Sequence, residues 1–433
     1  MAKSRRVRAA LALLATTSLL VTTACSKSDT PSGNELYKNP VTITWWHNFN
    51  TDGEGKTLWA KIANDFHALH PTVTVEVVPI ETNDLQRNRL PAALLTNDPP
   101  DVFQAWGGGE MVEQVAAGYV KDITDLVQPE VASIGAAAKI WSVDGKQYGL
   151  PYNFGVEGFW YNKDIFKQAG IAAPPTTFDD LKADITKLKT VAGVAPIAVG
   201  AGDSWPAAHW WYNFALHDCS ASAVQAAATK QKFDDPCFIK AGDDLKSFLD
   251  LKAFQDGFLG TPGQTGAGSS AGMVANGKAA MELMGHWNSG VIQGLTADKK
   301  VPAFLGWFPF PTTSGTPTPS TVMGGGDGYS VSKKAPPEAV EFLKYLVNLD
   351  NQKAFAATGA GIPVVKGAEA GLTDPNLQAI SKATQSASAV NLWLDTQLGA
   401  KAGTPMNTAI VAIFAGTGTS QGVVDALKKA TAQ

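Results

Sequence analysis

Tryptophans and short polar side chains recur together at the ends of strand-like runs. HNFN follows VTITWW and offers His47 and Asn48, PPDVFQAW brings Asp101 and Trp106, and VGAGDSWPAAHWW brings Asp203 and Trp205. MGHWNSG supplies Trp287 and Asn288, and AVNLWLD supplies Trp393. Indole faces cover apolar surface, while carboxylates, amides and imidazoles exchange hydrogen bonds with polar groups, so these sets suit reversible binding of a polar organic solute. Hydrolysis of a glycosidic bond is the competing chemistry. It needs two carboxyl groups roughly 5 to 10 Å apart, and Asp101 with Asp203 or Glu157 could supply them. No G-x-S-x-G, H-E-x-x-H or Walker loop occurs, and the six histidines are not at paired ligand spacings, so no enzymatic activity, metal or other cofactor is expected.

These residues need a scaffold, and the chain is long enough for two domains: 433 residues, 45% of them hydrophobic and only 17% charged. Twelve tryptophans are more than a core uses as filler, because a buried indole N–H wants a partner. The net charge is −4 and no basic cluster lies beyond the first eight residues, which argues against nucleic acid as a partner.

Residues 41–46 (VTITWW) read as a strand and Leu58, Ile62, Phe66 and Leu69 as one face of a helix. TVTVEVVPI (72–80) alternates as a second strand, 85–95 suggests a helix, and 99–106 a short buried strand. This β-α-β-α-β order implies an α/β fold with a mostly parallel sheet and ligands beyond the carboxyl ends of its strands. Further helices are expected at 164–169, 178–191, over most of 207–290 and at 336–349, with a surface loop at 311–321. Trp45, Trp59, Trp160 and Trp307 lie inside strand or helix patterns and are expected in the core, whereas only one of Trp210 and Trp211 could face a cleft from one helix.

Residues 1–24 carry Lys3, Arg5, Arg6 and Arg8 before an apolar stretch, Ala9 to Val21, that is shorter than the roughly 20 residues needed to span a bilayer. They read as an export signal. Thr22, Thr23 and Ala24 leading into Cys25 resemble a bacterial lipoprotein signal, which implies lipidation of Cys25, although Thr22 replaces the usual leucine. Cleavage there leaves 31 basic against 39 acidic residues, and 25–38 reads as a polar tether. In an oxidising compartment Cys219 and Cys237 can form a disulfide, two buried free thiols being the alternative.

ITWWHNFNTDGEG, PPDVFQAWGGGEM, DGKQYGLPYNFGVEGFWYNKDIFKQAGI with PPTTFDDL, GKAAMELMGHW and GGGDGYSVSK before EAVEFLKYLVN together resemble the extracellular solute-binding proteins of ABC transporters, the large family that includes maltose-binding protein. The resemblance implies a two-lobed periplasmic-binding-protein-like α/β fold with mixed, mostly parallel sheets, flanking helices and a hinge crossed three times. By position, lobe 1 takes 39–153 and 325–372, lobe 2 takes 158–318 and 377–433, and the crossovers fall near 153–158, 318–324 and 370–376. It also implies that Asp101, Asp203, Trp205, Trp287 and Trp393 stand where members hold sugars, with Asn153 and Asp327 beside the crossovers and able to reach the cleft.

The function so implied is a monomeric, lipid-anchored receptor on the extracellular face of the cytoplasmic membrane. It binds a di- or oligosaccharide and hands it to the permease of an ABC importer. Several stacking tryptophans favour two or more linked rings, since one ring has two faces to cover. FQAWGGGE and GGGDGYSV are similar to actinobacterial receptors for plant- or chitin-derived oligosaccharides, with xylobiose-type ligands the narrowest expectation. The alternatives are the same fold around a non-sugar solute such as a polyamine, and a secreted glycan hydrolase.

Overall fold

The structure is a computed structural model that describes residues 36–50, 53–313 and 321–432. The export signal, Cys25 and the tether as far as residue 35 lie outside the described residues, as does most of the 311–321 loop. Ten strands build the two main sheets: β1 (Val41–His47), β2 (Val73–Pro79), β3 (Val102–Ala105), β4 (Gly149–Val156), β5 (Gly158–Asn162), β6 (Ala195–Ala198), β7 (Ala279–Met284), β8 (Leu305–Pro309), β9 (Thr321–Val331) and β10 (Ala389–Leu392). The first sheet runs β10-β9-β3-β1-β2, with β4 also paired to β9, and the second runs β8-β5-β7-β6. β1 lies parallel to β2 and β3, β6 to β7, and β9 to β10. β9 is antiparallel to β3 and β4, and β5 to β7 and β8.

Alternation explains β1. Ile43, Trp45 and His47 share one face and are buried, packing with Trp59, Phe66 and Phe342 in the first sheet's core. The second sheet's core gathers Phe159, Leu181, Ile185, Trp210, Trp211 and Phe248 and extends into the C-terminal helices through Met406, Ile410 and Leu427. Trp45, Trp59 and Trp160 are fully buried, as their sequence contexts predict, while Trp307 is partly buried opposite Trp160. Trp210 and Trp211 both pack inside, against Phe248 and Phe254 and against Phe238 respectively. The expectation that one of them faces a cleft fails because the helix Trp205–Asp218 is apolar on nearly every side and is buried almost all round.

The backbone passes from the first sheet to the second through one residue, Glu157, between Val156 of β4 and Gly158 of β5. It is back in the first sheet at Thr321, where β9 begins. The C-terminal stretch departs from the expected division. β10 pairs with Thr321–Gly324 in the first sheet, so 377–433 does not belong wholly with the second. Helix Pro375–Ser386 sends Leu377 and Ile380 into a core shared by Val156 of β4 and Leu305 of β8, and only after Trp393 do the helices pack on the second sheet's side. A four-residue strand, AVNL, has too little pattern to show in the sequence which sheet it joins.

Cys219 and Cys237 form a disulfide that ties the end of helix Trp205–Asp218 to the start of helix Cys237–Leu249. It closes a loop with a separation of 18 residues, for which chain entropy gives about 3 kcal/mol. The Cys219→Ser/Cys237→Ser variant is therefore expected to melt roughly 5–10 °C lower in a thermal scan, and an unchanged melting temperature would show that the bridge carries no stability.

Candidate binding site

A cavity opening to solvent lies between the carboxyl-terminal ends of the first sheet's strands and the second sheet's side, with about 1160 Å³ of empty space. Its apolar wall is aromatic. Trp205 opens a helix, Trp287 precedes the helix Asn288–Leu295, and Trp393 follows β10. The Trp287 ring stands 5.2 Å from Trp393 at 64° and 6.3 Å from Trp205 at 57°, while His209 stacks on Trp393 at 5.6 Å and 17°. Three indoles turned against one another make a concave surface that offers ring faces in several directions. Two glycines make room for it. A β-carbon on Gly285 would come within 2.2 Å of the Trp287 ring, and one on Gly325 within 2.4 Å of the Trp393 ring, too close for either to fit. The GGGDG run of β9 is thus a floor that lets Trp393 lie close to the backbone.

The opposite wall is polar. Asn48 follows β1, Trp106 follows β3, Asn153 lies in β4, and Asp327 sits in β9 at an irregular register with β4. Asp327 is buried, and its two carboxylate oxygens accept from Gln104 (2.8 Å) and Asn153 (3.3 Å). Burial pushes its carboxyl up to about 6, against the opposing pull of those hydrogen bonds. Asn153 is fully engaged, its Oδ1 facing His286 Nε2 (2.8 Å) and accepting from the Ile362 N–H (2.8 Å). Behind this wall Arg87 binds Glu110 (3.0 Å) and Asp395 (3.4 Å), and Asp395 also lines the cavity. Nearby, Glu113 accepts from the Ala400 and Lys401 amides at the start of helix Ala400–Phe414.

Seven of the eleven residues proposed from sequence line the cavity: Asn48, Trp106, Asn153, Trp205, Trp287, Asp327 and Trp393. Four do not. His47 shares the core-facing parity of Ile43 and Trp45, packs tilted against the Trp45 ring, and accepts the Phe49 N–H at Nδ1; burial lowers its pKa to about 3. Asp101 precedes β3 and so stands at the wrong end of that strand, accepting from the Thr44 N–H (2.9 Å). Asp203 accepts the Gly263 N–H (2.7 Å) and holds the loop whose Gln264 and Thr265 reach the cavity. Asn288 is buried and donates to Glu282 (2.6 Å).

Sequence reasoning missed Tyr152, His209, Glu81, Gln86, Gln293 and Asp395, all of which line the cavity. Only His209 carried a signal, four residues after Trp205 and hence on its helical face. The hydrolase pairing does not assemble: Asp101 is remote from the cavity lining and both oxygens of Glu157 are bound within the protein. Among the described residues, no group of three or more His, Cys, Asp and Glu could hold a metal ion, and no helix is long and apolar enough to cross a membrane.

Beneath the aromatic wall, Glu282 of β7 is buried, and burial pushes its carboxyl up to about 8. A folded-state pKa above the unfolded value favours the native state below about pH 4.5 and loses that advantage as pH rises through 8. Glu282→Gln, which cannot charge, is expected to melt progressively higher than the parent from pH 5 to 9 and to match it near pH 4.5. A constant offset across that range would contradict a neutral, buried acid.

Two α/β units enclosing an aromatic-walled cavity, with strand ends on one side and helix starts on the other, define a receptor for a small solute. Residues 50–353, more than half of the chain, match the family of bacterial extracellular solute-binding proteins, and the chain belongs to that family. The chain is 26% identical over 381 residues to the multiple sugar-binding protein of Streptococcus mutans, covering 86% of this chain and 85% of that one. Among solved structures it resembles a chitin oligosaccharide binding protein, with TM-score 0.81, 25% identity and 91% and 98% of the two chains covered. It also resembles a structure from a study of xylan utilization by Caldanaerobius polysaccharolyticus, with TM-score 0.80, 25% identity and coverage of 90% and 99%. The family, the Streptococcus mutans relative and the chitin oligosaccharide neighbour are binding proteins, and the two-lobed fold is that of the solved neighbours.

Proposed function

We propose that this chain binds a di- or oligosaccharide between its two lobes and delivers it to the permease of an ABC importer. The observation that carries this reading is the trio of cavity tryptophans facing an amide- and carboxylate-lined wall. Indole faces cover the C–H faces of sugar rings, while Asn48, Gln86, Gln293 and Asp395 offer partners to the hydroxyl rim. The names of its neighbours, a multiple sugar-binding protein and a chitin oligosaccharide binding protein, support the same class. Together with the xylan-utilization neighbour they favour short plant- or chitin-derived oligosaccharides, xylobiose and diacetylchitobiose first.

In this reading Cys25 carries the lipid that holds the receptor, as a monomer, at the extracellular face of the cytoplasmic membrane. The lobes close about the backbone links near Glu157, Thr321 and Trp393. Arg87 on Asp395 and Glu113 on helix Ala400–Phe414 are contacts that closure brings together. A thermal-shift screen tests the ligand class: a saccharide at about a hundred times its Kd adds roughly 2.7 kcal/mol of stability. Stabilisation by spermidine and by no saccharide would replace the sugar with a polyamine.

A further inference from the structure

Glu157 touches no cavity space, yet three parts of the molecule meet on it. It is the single residue linking β4 of the first sheet to β5 of the second, and its N–H donates to Met323 O (2.8 Å) near the start of β9. Its side chain is fully buried. Oε2 accepts from the Trp393 indole N–H (2.9 Å) and lies 3.4 Å from Asn213 Nδ2, while Oε1 faces His209 Nδ1 at 2.9 Å. Trp393 itself stands where the chain leaves β10 for the C-terminal helices. The link between the sheets, the start of β9 and the exit from β10 therefore meet on one residue, the first two through its backbone and the third through its carboxylate.

We infer that Glu157 is a positioning residue for ligand binding: from the link between the sheets, its carboxylate fixes the Trp393 indole and the His209 imidazole that wall the cavity. Its Oε2 accepts the indole N–H, and its Oε1, facing Nδ1, pairs with the Nδ1–H form of His209. With both nitrogens pinned, the two rings stack nearly parallel at 17° and present one stiff surface. Gly325 seats the same indole on the strand side, so Trp393 is held at its nitrogen from one side and at its six-membered ring from the other. Because the carboxylate sits on the link itself, a change in the path of the backbone through residue 157 moves the wall with it. This inference rests on the sugar-binding reading for its ligand, but its structural part stands without one.

The test uses 5-fluorotryptophan-labelled protein without ligand, with the Trp393 fluorine signal assigned by Trp393→Phe. Glu157→Ala removes both acceptors and is expected to shift or broaden the Trp393 signal while the core signals of Trp45 and Trp59 stay in place. Glu157→Gln keeps an acceptor for the indole and can donate to His209 in its other tautomer, so it is expected to restore most of the signal; it also decides the matter if the alanine variant does not fold. Titration with xylobiose and diacetylchitobiose forms the second arm. Glu157→Ala is expected to weaken whichever binds by about tenfold, with a smaller further loss, from His209 alone, when added to Trp393→Phe. An unmoved Trp393 signal in Glu157→Ala, or fully additive losses in the double variant, would overturn the inference. If neither saccharide binds the parent protein, the sugar reading fails and the fluorine arm alone decides the role of Glu157.

Discussion

Trp287→Ala is expected to weaken saccharide binding about thirtyfold while leaving the melting temperature within a few degrees of the parent. The indole is partly exposed to the cavity and central in the trio, in ring contact with both Trp205 and Trp393. Covering one face of a sugar ring removes on the order of 80 Å² of apolar surface from water, worth about 2 kcal/mol at 25 cal/mol/Å². The ring also packs against both cores, so some stability is lost with it, but less than for a fully buried tryptophan because part of the indole is open to the cavity. Titration calorimetry and a thermal scan on the same preparation separate the two quantities. Unchanged affinity would remove Trp287 from the site, and a collapse in melting temperature would make it a core residue.

Arg87→Ala is expected to lower the melting temperature by roughly 5–15 °C near pH 8 and to weaken binding as well. Arg87 is the cation between two buried carboxylates, Glu110 at 3.0 Å and Asp395 at 3.4 Å, and removing it strands both at a cost of about 3–5 kcal/mol. Burial works against the arginine's own charge, but Glu110 and Asp395 more than compensate and raise its pKa. Burial already holds Glu110 up at about 6 despite Arg87, and without that cation its folded-state pKa moves higher still. The extra cost is therefore full above that value and shrinks as Glu110 takes up its proton, so the gap between variant and parent narrows towards pH 5. Arg87→Lys restores charge but not the two-pronged geometry and is expected to fall between them. A gap that is small or widens on acidification would show that the Arg87 cluster does not hold the cavity wall.

Much of the fold was legible because its strands announce themselves. β1 and β2 alternate or run apolar between turn residues, and the tryptophans that follow strands β3 and β10, or begin or precede the helices after β6 and β7, do line the cavity. The failures are local and physical. Asp101 lies one residue before β3 rather than after it, a boundary that PPDVFQAW does not mark. His47 was lost to strand parity: β1 runs one residue further than VTITWW suggests, and its last side chain turns inward. Asn288 opens a buried helix, where an amide is as useful to Glu282 as to a ligand. Arg87, Asp395 and Tyr152 could not be found from periodicity, since Arg87 and Asp395 meet across 308 residues and Tyr152 takes its place against Tyr329. His209 carried only the i, i+4 spacing from Trp205, because its helix is buried almost all round and shows no single polar face.

Isothermal titration of the mature chain with xylobiose, diacetylchitobiose, maltose and spermidine tests the central claim most directly. Saturable binding of one saccharide per chain, weakened at least tenfold by Trp287→Ala, is the predicted result. Saturable heat from spermidine with none from any saccharide would contradict it.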